Sequence, residues 1–215
     1  GDNARMSTPI SATPALVLGS TSRYRQELLS RLKVPFACRA PEVDETPLHG
    51  EAPSAIAERL ALAKAQSVAQ LCLQDANQDV VVIGSDQVAD LDGQALGKPG
   101  THERAMAQLQ AMRGQTVVFH TAVSVVRPST GFEASTTSII EVQFRSDVSD
   151  AEFEQYLRLD QPYDCAGSAK VESLGILLLE RVLSDDPTAL IGLPLIATTR
   201  LLRQAQFPLF ESIKS

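Results

Sequence analysis

The sequence predicts an α/β protein built on a mixed sheet. Two short apolar runs, Ala15-Leu16-Val17-Leu18-Gly19 and Val80-Val81-Val82-Ile83-Gly84, are each bounded by turn residues and read as buried strands. Helical patterns rich in Ala and Leu lie between them, as crossover connections require. Turn residues at Asp92-Gly93 and at Pro128-Ser129-Thr130-Gly131 each separate two β-type runs, which is the pattern of antiparallel hairpins. Crossovers and hairpins in one chain give a mixed sheet.

Taken in order, the first strand is followed by a Ser-rich turn. The spacing of Tyr24, Leu28, Leu29 and Leu32 then predicts a helix from Ser22. Residues 35–39 read as a second strand and residues 41–47 as an irregular stretch. Residues 53–74 read as a long helix. The strand at residues 80–84 leads to a small hairpin pairing Val88-Ala89 with Ala95-Leu96. Residues 101–113 form a helix that Gly114 closes. Residues 116–126 and 132–144 make the long ribbon. Ser149 with Glu152 is a capping box, Val148 with Phe153 its hydrophobic staple, and the helix runs to Leu159. A loop at residues 162–170, a strand at 176–179 and a helix from about residue 194 to 206 complete the reading.

A chain of 215 residues is expected to form one domain over residues 14–215, with residues 1–13 a loose terminus. At 44% hydrophobic it has material for a full core, which excludes a disordered or fibrous chain. Asp and Glu number 26 against 19 Lys and Arg, for a net charge of −7, which argues against nucleic acid as a partner. A few converging cations still suffice to hold an anion in a pocket. The three cysteines, Cys38, Cys72 and Cys165, are scattered, lack metal-ligand spacing and cannot all pair, so a reducing cytoplasm is expected. No apolar run approaches the ~20 residues that span a bilayer, so no membrane partner is expected.

Three segments carry candidate chemistry. Ser20-Thr21-Ser22-Arg23-Tyr24-Arg25 lies between strand and helix, where N–H groups and hydroxyls with guanidinium forks cradle phosphate. An ordinary Ser cap with surface arginines is the competing reading. Gly84-Ser85-Asp86-Gln87 follows the strongest strand directly, and a carboxylate at the carboxyl end of a strand can hold Mg²⁺ or take a proton from water. An Asp that merely starts a turn fits the same pattern unless other groups converge on it; Glu45, Lys64 and Lys98 are the candidates. In Tyr163-Asp164-Cys165-Ala166-Gly167-Ser168-Ala169-Lys170, small residues permit close backbone approach to a ligand, and Cys165 reads as packed and inert. There is no P-loop and no G-x-S-x-G elbow.

Together these segments resemble the Maf family of nucleoside triphosphate pyrophosphatases. The matching pieces are Ser20-Thr21-Ser22 with Arg23 and Arg25, Glu42-Val43-Asp44-Glu45, Lys64, Gly84-Ser85-Asp86-Gln87-Val88, Gly97-Lys98-Pro99 and the loop from Asp164 to Lys170, in the family's order. Asp86-Gln87, the Tyr163 to Ser168 stretch and Glu172 look most like the subgroup acting on 7-methyl-GTP. The resemblance implies an elongated mixed sheet in two lobes with a central cleft, akin to inosine triphosphate pyrophosphatases. It also implies a divalent metal (Mg²⁺ or Mn²⁺) on Asp86 and Glu45, a homodimer, and Asp86 as proton acceptor. Ser20, Ser22, Arg25, Lys64 and Lys98 would bind the phosphates, while Tyr24, Gln87 and Glu172 would tune substrate choice. One departure is Tyr24, where the subgroup commonly has Trp. A second, a few extra residues at 74–79, lengthens a loop.

Charge supports the subgroup. Methylation at N7 makes guanine cationic, and a cation over an aromatic face gains about 0.5–2 kcal/mol. Tyr24 offers that face, and the Glu172 carboxylate can accept hydrogen bonds from the guanine edge, whereas Gln would pair with a pyrimidine. The alternatives are a pyrophosphatase preferring dTTP, UTP or CTP, and a non-catalytic regulator of septum formation.

Overall fold

Seven strands form one mixed sheet in a computed structural model that describes residues 13–76 and 78–214. The strands are β1 (Ala15–Leu18), β2 (Ala37–Cys38), β3 (Val80–Leu91), β4 (Gln94–Leu96), β5 (Thr116–Arg127), β6 (Phe132–Phe144) and β7 (Leu179–Leu183). They run in the order β2-β1-β3-β5-β6-β7, with β4 beside β3. Pairings of β1 are parallel, and all others are antiparallel. Residues 1–12, expected to be a loose terminus, lie outside the described residues, as does residue 77 of the lengthened loop.

Strand β3 organises the molecule. On one edge it pairs with β5 from Val82↔Val126 to Asp90↔Val118. On the other edge β1 ends at Leu18↔Ile83, and β4 begins only at Ala89↔Leu96. Residues 84–88 therefore have a strand on one side and an open edge on the other.

Among the described residues there are six helices: α1 (Arg23–Ser30), α2 (Pro53–Asp75), α3 (His102–Met112), α4 (Asp150–Asp160), α5 (Leu195–Gln204) and α6 (Leu209–Ser212). Helix α2 lies on one face. Its Ile56, Ala57, Leu60 and Ala61 pack on Val88 and Ala122, and its Ala65, Val68 and Ala69 pack on Val80, Val82 and Val126. Small side chains bring it close to the sheet: a Cβ on Gly84 would lie 2.2 Å from the Ala61 carbonyl oxygen and 2.6 Å from the Ala65 nitrogen. The opposite face is divided. Leu28 and Leu29 of α1 and Leu201 and Leu202 of α5 cover Leu16, Leu18, Val81, Ile83, Val123 and Val125 at one end. Leu109 and Met112 of α3, with Phe153 and Leu157 of α4, cover Val117, Phe119, Ile140 and Val142 at the other. Each set buries its own apolar cluster.

The expected caps form: Ser149 and Glu152 make the reciprocal capping box of α4, Thr101 caps α3, and Gly114 turns the chain at a φ of 71°. Four expectations need correction. The strand at 80–84 does not stop at Gly84 but runs unbroken to Leu91, because β5 pairs with it from Val82 to Asp90. Asp86 is therefore in the middle of a strand, not at its carboxyl end. The segment expected to be a strand at 176–179 is mostly a 3-10 turn (Leu174–Leu178), with β7 starting at Leu179. Asp160 holds that turn by accepting from Ser173 Oγ and the Leu174 N–H. The second strand is only two residues long. The last helix ends at Gln204, and α6 follows Pro208 separately.

Candidate active site

The chain leaves β1 with the Gly19 N–H donating to the Ile83 carbonyl (2.8 Å) and turns at the serines. Ser20 Oγ accepts from the Ser22 N–H (3.0 Å), and Ser22 Oγ caps α1 by accepting from the Arg25 N–H (3.3 Å). The capping reading of these hydroxyls is thus present, and each still carries a proton to donate. Capping also fixes Arg25 one turn into α1, where its side chain is buried. Arg25 Nε donates to the Gly192 carbonyl (2.7 Å), and its remaining guanidinium nitrogens have no partner among the described residues. Gly192 is itself held by Ser85 Oγ (3.2 Å).

Opposite Arg25, Asp86 projects from β3 toward α2 and is 8% exposed. Lys64, one residue short of the Ala65 that packs on Gly84, donates to Asp86 Oδ1 at 3.0 Å and reaches Glu45 Oε1 at 2.9 Å. Lys98 follows β4 and faces the same cluster, so three cations meet two carboxylates. Burial pushes the Asp86 carboxyl above the usual range, opposed by the charges of Lys64 and Arg25. Burial lowers Arg25, and it lowers Lys98 with help from the charges of Arg25 and Lys64. Burial also resists ionisation of Glu45, but its bond to Lys64 and the neighbouring cations hold its carboxyl below the usual range. Burial makes the positive charges of Arg25 and Lys98 costly, so an anion entering there meets groups that gain by its arrival.

The cleft continues past this cluster along Tyr24, Gln87, Asp164, Cys165, Ala169 and Glu172, with Ser22, Arg25, Asp86 and Lys98 lining its other part. It wraps the open edge of β3, which is how neighbours on one strand, Asp86 and Gln87, both reach it. Gln87 Nε2 donates to Thr121 Oγ1 (3.0 Å) and to the Leu190 carbonyl (3.0 Å), so its amide nitrogen is committed to the protein. Tyr24 Oη donates to Asp164 Oδ1 (2.8 Å), and the Arg23 and Lys170 cations lie 5.2 and 5.8 Å from its ring centroid. Burial pushes the Cys165 thiol up to about 12, which leaves it without thiolate character at neutral pH.

The segment carrying Asp164 and Glu172 is pinned from below. Tyr156 Oη donates to the Ser168 carbonyl (2.7 Å) and accepts from the Lys170 N–H (2.9 Å). The Tyr163 hydroxyl is 2.7 Å from His102 Nδ1, whose other ring nitrogen is 2.7 Å from Glu154. Gly167, at a φ of 63°, presses against Ala89 and Phe119 where a Cβ would lie 3.2–3.3 Å from both.

The structure thus brings Ser22, Tyr24, Arg25, Asp86, Gln87, Lys98 and Glu172 to one cleft, with Lys64 and Glu45 joined to it through ion pairs. Ser20 sits behind Ser22, buried. The sequence reading did not find the contributions of Gly192, Tyr156 and His102. A backbone carbonyl leaves no trace in sequence, and the two ring residues are separated from the segment they pin by 12 or more positions.

A family model described as Maf-like protein matches residues 15–205. The chain is 62% identical over 195 residues to a 7-methyl-GTP pyrophosphatase of a Polaromonas species, covering 91% of this chain and 86% of that one. It is 59% identical to a 7-methyl-GTP pyrophosphatase of Cupriavidus metallidurans, covering 92% and 96%. It is 52% identical to a protein of the same name from Cupriavidus pinatubonensis, covering 96% and 99%. With a family match over residues 15–205 and a relative 62% identical over 91% of it, the chain belongs to the Maf family.

Proposed function

We propose that the protein hydrolyses the α–β phosphoanhydride of 7-methyl-GTP, releasing 7-methyl-GMP and pyrophosphate. The observation that carries this reading is a buried carboxylate, Asp86, set between Lys64 and Arg25 in a cleft with one cationic part and one aromatic, acidic part. The activity for which the relatives are named supports it.

In this reading Arg25, Lys64 and Lys98 bind phosphate oxygens and the Ser22 hydroxyl donates to the same chain of phosphates, while Ser20, buried behind it, holds the turn by accepting from the Ser22 N–H. Asp86 accepts a proton as water attacks the α-phosphorus; the new P–O bond forms as the bond to the bridging oxygen breaks, and pyrophosphate leaves with the electron pair. The Lys64 ammonium, already bonded to Asp86, holds that carboxylate in place.

Among the described residues no group of three or more His, Cys, Asp or Glu converges as a metal cage. Asp86 and Glu45, which meet on Lys64, fit Mg²⁺ or Mn²⁺ nonetheless, since such ions take one or two protein carboxylates and complete their shell with substrate phosphates and water. When bound, the ion supplies charge neutralisation on the triphosphate. No helix among the described residues is long and apolar enough to cross a membrane.

The test is pyrophosphate release by the purified protein with Mg²⁺ or Mn²⁺ from 7-methyl-GTP, GTP, dTTP, UTP and CTP. The expected order places 7-methyl-GTP first by kcat/KM. Absence of release from 7-methyl-GTP, or higher turnover of the pyrimidines, overturns the reading. Within the same panel, Glu172→Gln is expected to move the preference toward UTP and dTTP by about tenfold, because Gln both donates and accepts while the lost charge no longer favours a cationic base. An unchanged ranking in that variant removes Glu172 from base selection.

A further inference from the structure

The two parts of the cleft differ in charge. Around Asp86 the cations predominate, three against two. At Tyr24 the lining contributes two carboxylates, Asp164 and Glu172, on either side of the pinned 166–169 segment, and the Arg23 and Lys170 cations that balance them stand at the ring rather than in the lining. The Asp164 carboxylate is tied by the Tyr24 hydroxyl, 140 positions away in sequence, so its place is fixed relative to the ring. The ring already seats cations: the ammonium of Lys170 and the guanidinium of Arg23 both lie within 6 Å of its centroid.

Burial pushes the Glu172 carboxyl up; a backbone hydrogen bond and the charge of Lys170 oppose it, and the charges of Asp160 and Asp164 add to it. Two acids repelling one another beside an aromatic face are relieved by a positively charged guest and aggravated by a neutral one that desolvates them.

We propose that Asp164 is a specificity-determining residue, whose negative charge, held against the Tyr24 hydroxyl, makes this part of the cleft select a positively charged purine over its neutral parent. The proposal rests on the pyrophosphatase reading and deepens it. A ring alone distinguishes cation from neutral base weakly, and one exposed carboxylate such as Glu172 is screened by solvent. A second carboxylate anchored beside the same ring adds to the discrimination and acts on the base, leaving the phosphates to Arg25, Lys64 and Lys98.

The experiment compares kcat/KM for 7-methyl-GTP and GTP in the wild-type chain, Asp164→Asn and Asp164→Glu. The ratio is internal to each preparation, so a reduced active fraction cancels. Asp164→Asn keeps the shape and removes the charge; the 7-methyl-GTP to GTP ratio is expected to fall by about tenfold. Asp164→Glu keeps the charge and is expected to recover most of the ratio. A ratio unchanged in Asp164→Asn, or as low in Asp164→Glu as in Asp164→Asn, overturns the proposal. The wild-type measurement separates the two layers: failure to hydrolyse 7-methyl-GTP sinks the pyrophosphatase reading itself, whereas robust hydrolysis with an Asn variant of undiminished preference sinks only the role of Asp164.

Discussion

Asp86→Asn is expected to cut pyrophosphate release by about a thousandfold while leaving the fold intact. The amide matches the carboxylate in size and can still contact Lys64 Nζ through its oxygen, so the packing between β3 and α2 survives. It cannot take up the proton of an attacking water at any useful rate. The fold tolerates the change because burial already disfavours the ionised form of Asp86, pushing its carboxyl above the usual range. The sign follows from linkage. A carboxyl whose pKa is raised on folding weakens the native state at pH values above its unfolded pKa, so removing its charge relieves a cost there. Part of that relief is lost because Lys64, Arg25 and Lys98 then face only Glu45. Turnover measured beside the thermal midpoint tests both halves: near wild-type turnover excludes Asp86 from the chemistry, and a collapsed midpoint makes it a structural residue.

Gly84→Ala is expected to lower stability by more than about 3 kcal/mol. The added methyl would lie 2.2 Å from the Ala61 carbonyl oxygen, 2.6 Å from the Ala65 nitrogen and 2.9 Å from the Ala65 Cβ. Backbone of a long helix cannot step aside as a flexible side chain does, so α2 must lift from the sheet and unseat Ala57, Ala61 and Val68. Gly97→Ala is the matched control, since nothing lies within 4 Å of its added Cβ. Urea denaturation followed by circular dichroism should show a large fall in midpoint for Gly84→Ala and a small one for Gly97→Ala. Equal midpoints would mean that α2 does not rest on β3 as described.

Much of this architecture was legible in local patterns. The capping box at Ser149 and Glu152, the stop at Gly114 and the turn at Asp92-Gly93 each depend on residues a few positions apart, and each formed where expected. Features set by distant pairing were not legible. Nothing local says that β3 continues beyond Gly84, because its polar Ser85, Asp86 and Gln87 look like a turn until β5 supplies the opposing ladder. The apolar stretch before Leu179 reads as a strand on composition, yet hydrogen bonds from Ser173 and Leu174 to Asp160 coil it. The candidate site shows the same division. Arg25, Asp86, Lys64 and Lys98 were recognisable as a set, whereas the bond between Tyr24 and Asp164 joins segments 140 residues apart and has no local signature.

In the proposed reading Asp86 rides on the interior of a paired strand, while two of the residues that would face the base, Asp164 and Glu172, belong to a segment pinned at a few points. For those two, frame and trim are separate. On that reading, exchanging side chains near positions 164–172 would retarget the site to another nucleobase while Asp86 and the cations around it stay in place, so a lineage built on this scaffold would be free to diversify in diet while its chemistry stays constant.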